Sequence, residues 1–213
     1  MERKIKTVIL DFGGVIITSC QKEAMRRLAE IGVGPEVMTL DNYAQTGLIG
    51  ALEEGKIGEE EFRRALSEKI GKELTFEDLK WVITGYAKEV PERNLRLLRQ
   101  LRQEGYRLLL LSNTNQYMMA WAMSEEFDGM GGTLSDYFDH CYLSYQMGLA
   151  KPDPEIFREV LRQENLDPQT AIFVDDNDTN IRTASQLGLH TLMPVNGEDW
   201  TQDLKRALYK NEV

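Results

Sequence analysis

The stretch "VILDFGGVI", Val8 to Ile16, sets an apolar run against one aspartate and two glycines before apolar residues resume. An apolar run of this length, closed by a turn signal, reads as a buried strand. Asp11 is then either a polar stop before a turn or a chemical group delivered to the edge of a sheet. The rest of the chain has to decide between these.

Four further runs have the same form: "YRLLLLSNTN", "HCYLSYQMG", "TAIFVDDND" and "HTLMPVNG". Their apolar stretches are continuous rather than alternating, which predicts strands covered on both faces, as in a parallel sheet. The text between them is helical. "NLRLLRQLRQEG" carries leucines at 95, 97, 98 and 101 before Gly105. "DPEIFREVLRQENL" puts Ile156, Phe157, Val160 and Leu161 on one face behind Pro154, and "NIRTASQLG" stops at Gly188. The predicted fold class is α/β, a doubly wound parallel sheet of Rossmann-like type. The alternation breaks between Thr18 and Val90, where "QKEAMRRLAEIG", "PEVMTLDNYAQTG", "EEEFRRALSEKIG" and "TFEDLKWVITGYAKEV" are helical and contain no convincing strand. The expected organisation is a core of residues 1–17 and 89–213 with a helical cap inserted at 18–88.

The composition, 42% apolar and 28% charged, is that of a globular chain. A net charge of −10 argues against nucleic-acid and anionic-membrane partners. It leaves room for an anionic small molecule where a cation reverses the local potential. No apolar run approaches the roughly 18 residues of a membrane span. "MERKIKTVIL" is too short in its apolar part for a signal peptide. Cys20 and Cys141 have no paired spacing and read as small hydrophobes. The expectation is a cytoplasmic monomer or small homo-oligomer.

In open α/β sheets ligands bind beyond the carboxyl ends of the strands. Collecting residues there gives Asp11, then Ser112 and Asn113, then Lys151 in "GLAKPD", then Asp175 and Asp176. Carboxylates brought together repel unless a cation holds them, and two or three of them with water and substrate suit Mg²⁺. The Gly13 carbonyl can face the same ion. Lys151 and Ser112 suit an oxyanion such as phosphate, and Asp11 suits a nucleophile, since carboxylates form aspartyl phosphates. Taken singly each signal has a plainer reading: a cap, a turn, a surface charge or a solvated acidic loop. Their order along successive strands is what favours a site. "DFG" also occurs in kinases, but this chain has no glycine-rich loop and no "HRD".

"ILDFGGV", "LLLSNTN", "GLAKPDPEIF" and "FVDDNDTNIRTA" resemble the four signature motifs of the haloacid dehalogenase-like hydrolase superfamily, and the insertion resembles the helical cap of its small-phosphatase branch. The resemblance implies a phosphatase that hydrolyses a small phosphate monoester through an aspartyl phosphate. It makes Asp11 the nucleophile and a Mg²⁺ ligand, and adds the Gly13 carbonyl, Asp176 and Asp175 (directly or through water) as ligands. Ser112 and Asn113 bind the phosphoryl group and Lys151 neutralises it. Asn180 stands where many members carry another acidic residue.

Most phosphatases of the family also have an aspartate two residues after the nucleophile as general acid and base. Here that residue is Gly13. The "D-x-G" pattern, "EEGKIGEEEF" and "WAMSEEF" look like the α-D-glucose 1-phosphate phosphatases, so the resemblance points to a sugar phosphate such as a sugar 1-phosphate. General acid–base help contributes about 10²–10⁴-fold in rate. Its absence predicts leaving groups that depart with little protonation. Two other readings stay open: a metal-independent 2-haloacid dehalogenase, and a non-catalytic binding protein on the same scaffold. In "QYMMAWAMSEEF", Trp121 reads as a packing residue with substrate contact as the alternative, and His140 and His190 read as structural.

Overall fold

The computed structural model describes residues 4–41 and 46–209. In chain order the elements are β1 (Thr7–Leu10), β2 (Thr18–Ser19), α1 (Gln21–Glu30), α2 (Gly47–Glu53), α3 (Glu59–Ile70), α4 (Phe76–Thr84) and β3 (Ala87–Glu89). They continue with α5 (Glu92–Gln103), β4 (Arg107–Ser112), α6 (Gln116–Ala122), β5 (His140–Leu143), α7 (Ser144–Met147), α8 (Pro154–Gln163), β6 (Ala171–Val174), α9 (Asp178–Gln186), β7 (His190–Leu192) and α10 (Thr201–Tyr209). The apolar runs predicted as strands form one parallel sheet in the order β5-β4-β1-β6-β7, with β1 at its centre.

The continuity of those runs follows from burial on both faces. Successive side chains of a strand point to opposite sides. Val8 and Leu10, Leu108 and Leu110, and Ile172 and Val174 face one apolar core, beneath α5, α6 and α10. Ile9, Leu109, Leu111 and Phe173 face the other, beneath α8 and α9. The helices follow the sequence signals. Asp153 accepts from the Glu155 N–H at 2.9 Å to open α8, Pro154 occupies its first turn, and Ile156, Phe157 and Val160 are buried. Behind α5, whose buried leucines are 95, 97, 98 and 101, Gly105 turns the chain at φ +84°. No helix among the described residues is long and apolar enough to cross a membrane.

Between β1 and β4 the chain leaves the sheet. Helices α1 to α4 lie on this excursion, as the sequence predicts, with two differences. The prediction of no strand there is corrected: β2 and β3 pair antiparallel at its two ends, each too short to register as an apolar run. Within "PEVMTLDNYAQTG" residues 35–41 form a turn and irregular chain rather than a helix, and Gly47 opens α2; residues 42–45 lie outside the described residues. Helix α4 begins with Thr75 and Asp78 capping each other reciprocally. It packs against α1 and α6, and α2 packs against α7.

The loop after β1 is tied down from two directions. Asn94, buried on α5, donates through Nδ2 to the carbonyls of Val15 at 2.9 Å and Ile16 at 3.1 Å, and the Trp200 indole donates to Val15 at 2.9 Å. Replacing Asn94 with Ala leaves the Ile16 carbonyl without this donor in a buried setting, so stability should fall by about 1–3 kcal/mol. Urea denaturation of Asn94→Ala beside the parent measures it.

Candidate active site

Strand register decides which residues meet. Leu10 lies beside Leu110 on one side and Val174 on the other, and the Asp11 N–H donates to the Val174 carbonyl at 2.9 Å. Asp11 and Asp175 therefore leave the sheet as neighbours, while β4 runs on to Ser112. Lys151, from the loop before α8, reaches between them. Its Nζ lies 2.8 Å from Asp11 Oδ1 and 2.7 Å from Asp175 Oδ2, above the ring of Phe173.

The two carboxylates are used differently. Asp175 is fully buried and surrounded by donors. Oδ1 accepts from the Asn177 N–H at 2.8 Å, Oδ2 from Lys151, and the Asn180 amide reaches both oxygens at 3.2 and 3.0 Å. Asp11 and Asp176 instead line a cavity shared with Gly13, Ser112, Asn113 and Lys151. Oxygens of Asp11, Asp175 and Asp176 all lie within 4.8 Å of one another. Gly14 makes the approach possible: it has φ +73°, and a Cβ there would overlap the Asp176 carboxylate.

Such crowding is visible in the proton affinities. Burial raises Asp11 to about 6, against the opposing charge of Lys151 and with Asp175 adding to it. Burial, then the charges of Asp11 and Asp175, raises Asp176 to about 7. Burial alone would lower Lys151, but Asp11 and Asp175 outweigh it and hold the ammonium above its ordinary value. The donor set is all oxygen, carries surplus negative charge, and opens on a cavity. It fits a hard divalent cation.

Asn113 lines the cavity and also holds the lysine loop. Its amide grips the Lys151 main chain, Nδ2 donating to the carbonyl at 2.7 Å and Oδ1 accepting from the N–H at 2.8 Å. It positions the lysine, using one of the two Nδ2 hydrogens. Ser112, almost fully buried, also lines the cavity. Asn180 stands behind Asp175 as a neutral donor.

Residues that sequence reasoning missed complete the wall. Ser144 Oγ accepts from the Thr114 N–H at 3.0 Å and donates to its carbonyl at 3.3 Å, fixing the turn after β4. Asn115 caps α6 by accepting from the Met118 N–H, an N-cap legible in "NTNQ". Glu53 enters from α2, and no pattern in "ALEEGK" separates it from the glutamate beside it. Trp121 packs against Phe12 and Phe127, centroids 6.5 and 5.5 Å apart, and does not line the cavity. His140, its ring tilted at 54° to that of Tyr142 with centroids 4.5 Å apart, and His190 lie outside it too. Cys20 and Cys141 are unpaired, and burial pushes the Cys141 thiol up to about 11.

The model of the haloacid dehalogenase-like hydrolases matches residues 5–188, and so takes in every residue of this site. The chain belongs to that family. It is 42% identical to the D-ribitol-5-phosphate phosphatase of Bacteroides thetaiotaomicron over 94% of this chain and 97% of that one. It is 30% identical to the glyceraldehyde 3-phosphate phosphatase of Pyrococcus furiosus over 63% and 58%. Among solved structures, a predicted HAD-like family hydrolase from Porphyromonas gingivalis superposes with TM-score 0.90 at 41% identity, covering 96% of this chain and 98% of that one. A haloacid dehalogenase-family enzyme from B. thetaiotaomicron, solved with magnesium and inorganic phosphate, superposes with TM-score 0.82 at 33% identity, over 93% and 98%.

The raised carboxylates give a linked prediction for this hydrolase. A carboxyl raised on folding binds protons more tightly in the folded state, so its contribution to stability is lost as pH rises from about 4 towards 7. A cation competes with those protons. Magnesium should therefore raise the melting temperature more at pH 7.5 than at pH 5.5, its stabilisation at pH 7.5 reaching about 2.7 kcal/mol at a hundredfold excess over Kd. A thermal titration at both pH values, repeated with Asp176→Asn, checks this; the variant should lose most of the magnesium effect.

Proposed function

We propose that this chain is a magnesium-dependent phosphatase that hydrolyses a small sugar or polyol phosphate through an aspartyl phosphate on Asp11. The observation that carries the reading is the placement of Lys151, bound to both Asp11 and Asp175 at the wall of a cavity that Ser112 also lines. The relatives support it, since one acts on D-ribitol 5-phosphate and another was solved with magnesium and phosphate.

In this reading Asp11 and Asp176, with the Gly13 carbonyl, would hold a magnesium ion, which would supply positive charge to offset that of the phosphoryl oxygens. Asp175 serves the site by fixing Lys151. Lys151 and Ser112 bind the phosphoryl group from the opposite side, and Asn113 holds Lys151 at the right height. Asp11 attacks phosphorus, the alcohol departs, and water cleaves the resulting acyl phosphate at phosphorus to restore the carboxylate. Positioning and charge neutralisation supply most of the catalysis, as suits a loose phosphoryl-transfer transition state. Residues 18–88 form the cap, entering at β2 and leaving at β3, and its closure over the cavity excludes water during the first step. The preference for weakly basic leaving groups expected from Gly13 conflicts with a primary alkyl phosphate as substrate, and a panel holding both classes decides between them.

Turnover of D-ribitol 5-phosphate, glyceraldehyde 3-phosphate, glucose 1-phosphate and p-nitrophenyl phosphate, each with magnesium and with a chelator, tests the reading. Activity without metal, or release of halide from a 2-haloacid, counts against it. Asp11→Asn should abolish turnover while leaving the fold intact. Lys151→Met should abolish turnover too and, by stranding the fully buried Asp175, cost roughly 3–5 kcal/mol of stability in denaturant titration.

A further inference from the structure

Gly13 leaves the loop after the nucleophile without a side-chain acid, yet the alkoxide of a sugar or polyol leaves badly unless it takes up a proton. The space beside Gly13 is already filled. A Cβ on Gly13 would stand 3.0 Å from Ser19 Oγ. Ser19 is held there through its main chain by Asn196, whose amide accepts from its N–H at 2.9 Å and donates to its carbonyl at 3.1 Å. A serine hydroxyl is no acid at neutral pH. The donor has to come from another part of the wall.

Among the described residues, the titratable groups around the cavity are few. Asp11 is the nucleophile, Asp176 faces the cation, and Lys151 is engaged with two carboxylates. Tyr86 donates to the Asp41 carbonyl at 2.8 Å, and Asp41 is exposed. Glu53 is different. It stands at the end of α2, and the Asn115 amide donates to its Oε1 at 3.4 Å. Because Asn115 Oδ1 is committed to the Met118 N–H, the amide cannot reverse, and it keeps its NH₂ towards Glu53. Burial, and secondarily the charge of Asp11, raises the Glu53 carboxyl to about 7, so near neutral pH it is in part protonated.

We propose that Glu53 is the general acid and base of this hydrolase, a catalytic residue supplied by the inserted helices in place of the one missing at Gly13. The proposal rests on the phosphatase reading above and adds the source of the proton. As the phosphorus–oxygen bond to the alcohol breaks, the proton on Glu53 passes to the departing oxygen and leaves Glu53 a carboxylate. That carboxylate then takes a proton from the water that attacks the phosphoryl group on Asp11. The bond between phosphorus and the Asp11 oxygen breaks, inorganic phosphate leaves, and both side chains return to their starting states.

The test is Glu53→Gln in the full chain with magnesium, assayed on D-ribitol 5-phosphate and on p-nitrophenyl phosphate, whose leaving group needs no proton. The expected result is a kcat/KM lower by about 10²–10⁴-fold on the alkyl phosphate and by less than about tenfold on the aryl phosphate. On the aryl phosphate kcat should fall as well, with a burst of p-nitrophenolate stoichiometric with enzyme, because the phosphorylated Asp11 accumulates without its base. Glu53→Asp should recover part of the alkyl activity. An unchanged melting temperature and unchanged binding of inorganic phosphate show that the fold and the phosphate site survive. Equal losses on both substrates without a burst, or no loss on either, overturn the role of Glu53. A parent enzyme inactive on every phosphate tried, with its metal bound, overturns the phosphatase reading itself and the proposal with it.

Discussion

The site depends on one buried ion cluster, the Lys151 ammonium between Asp11 and Asp175. An isolated ammonium or carboxylate could not be kept charged at this depth, because desolvation would neutralise it. Asp175 resolves the difficulty by collecting donors on both oxygens, from Lys151, Asn180 and the Asn177 backbone. Asp11 and Asp175 together hold the Lys151 ammonium above its ordinary value at the wall of the cavity. Asn113 secures the lysine by its main chain, and Ser144 secures the turn that follows Ser112. Behind the side chains that line the cavity, Asp175 and Ser144 form a layer that holds them in place.

That layer also marks the limit of what the sequence discloses. The sheet was legible because continuous apolar runs such as "RLLLLS" have no other comfortable place than between two layers of helices, and the strand ends located Asp11, Ser112, Lys151 and the Asp175–Asp176 pair. Their separate roles were not legible. Asp175 and Asp176 are adjacent in the chain and chemically identical, and only the turn after β6 sends one inward and the other to the cavity. That Asn113 holds the Lys151 main chain shows only once the partner of its amide is known. Ser144 follows a strand like any turn serine, and its bond to Thr114 depends on β5 lying beside β4.

The excursion between β1 and β4 was legible as helices and opaque as a contributor to the cavity. Amphipathic periodicity reports the face a helix buries, and Leu52, Phe62 and Leu79 obey it. It carries no information about a polar residue at a helix end, which is where Glu53 lies. The short pair β2 and β3 escaped notice because two or three residues form a strand only once the partner is in place.

That pair has a geometric consequence. Thr18 and Glu89, which bracket the whole excursion, lie opposite each other, and Thr18 Oγ1 donates to the Glu89 carboxylate at 3.1 Å. The chain of the four helices therefore leaves and rejoins the sheet layer at one place, while α4 also rests on α6 and α2 on α7. Lengthening or exchanging them adds little closure entropy, which grows only slowly with loop length. A lineage could change the length of those helices, and with them the wall that carries Glu53, while β1 keeps its register against β4 and β6, so long as the faces packed on α6 and α7 still match.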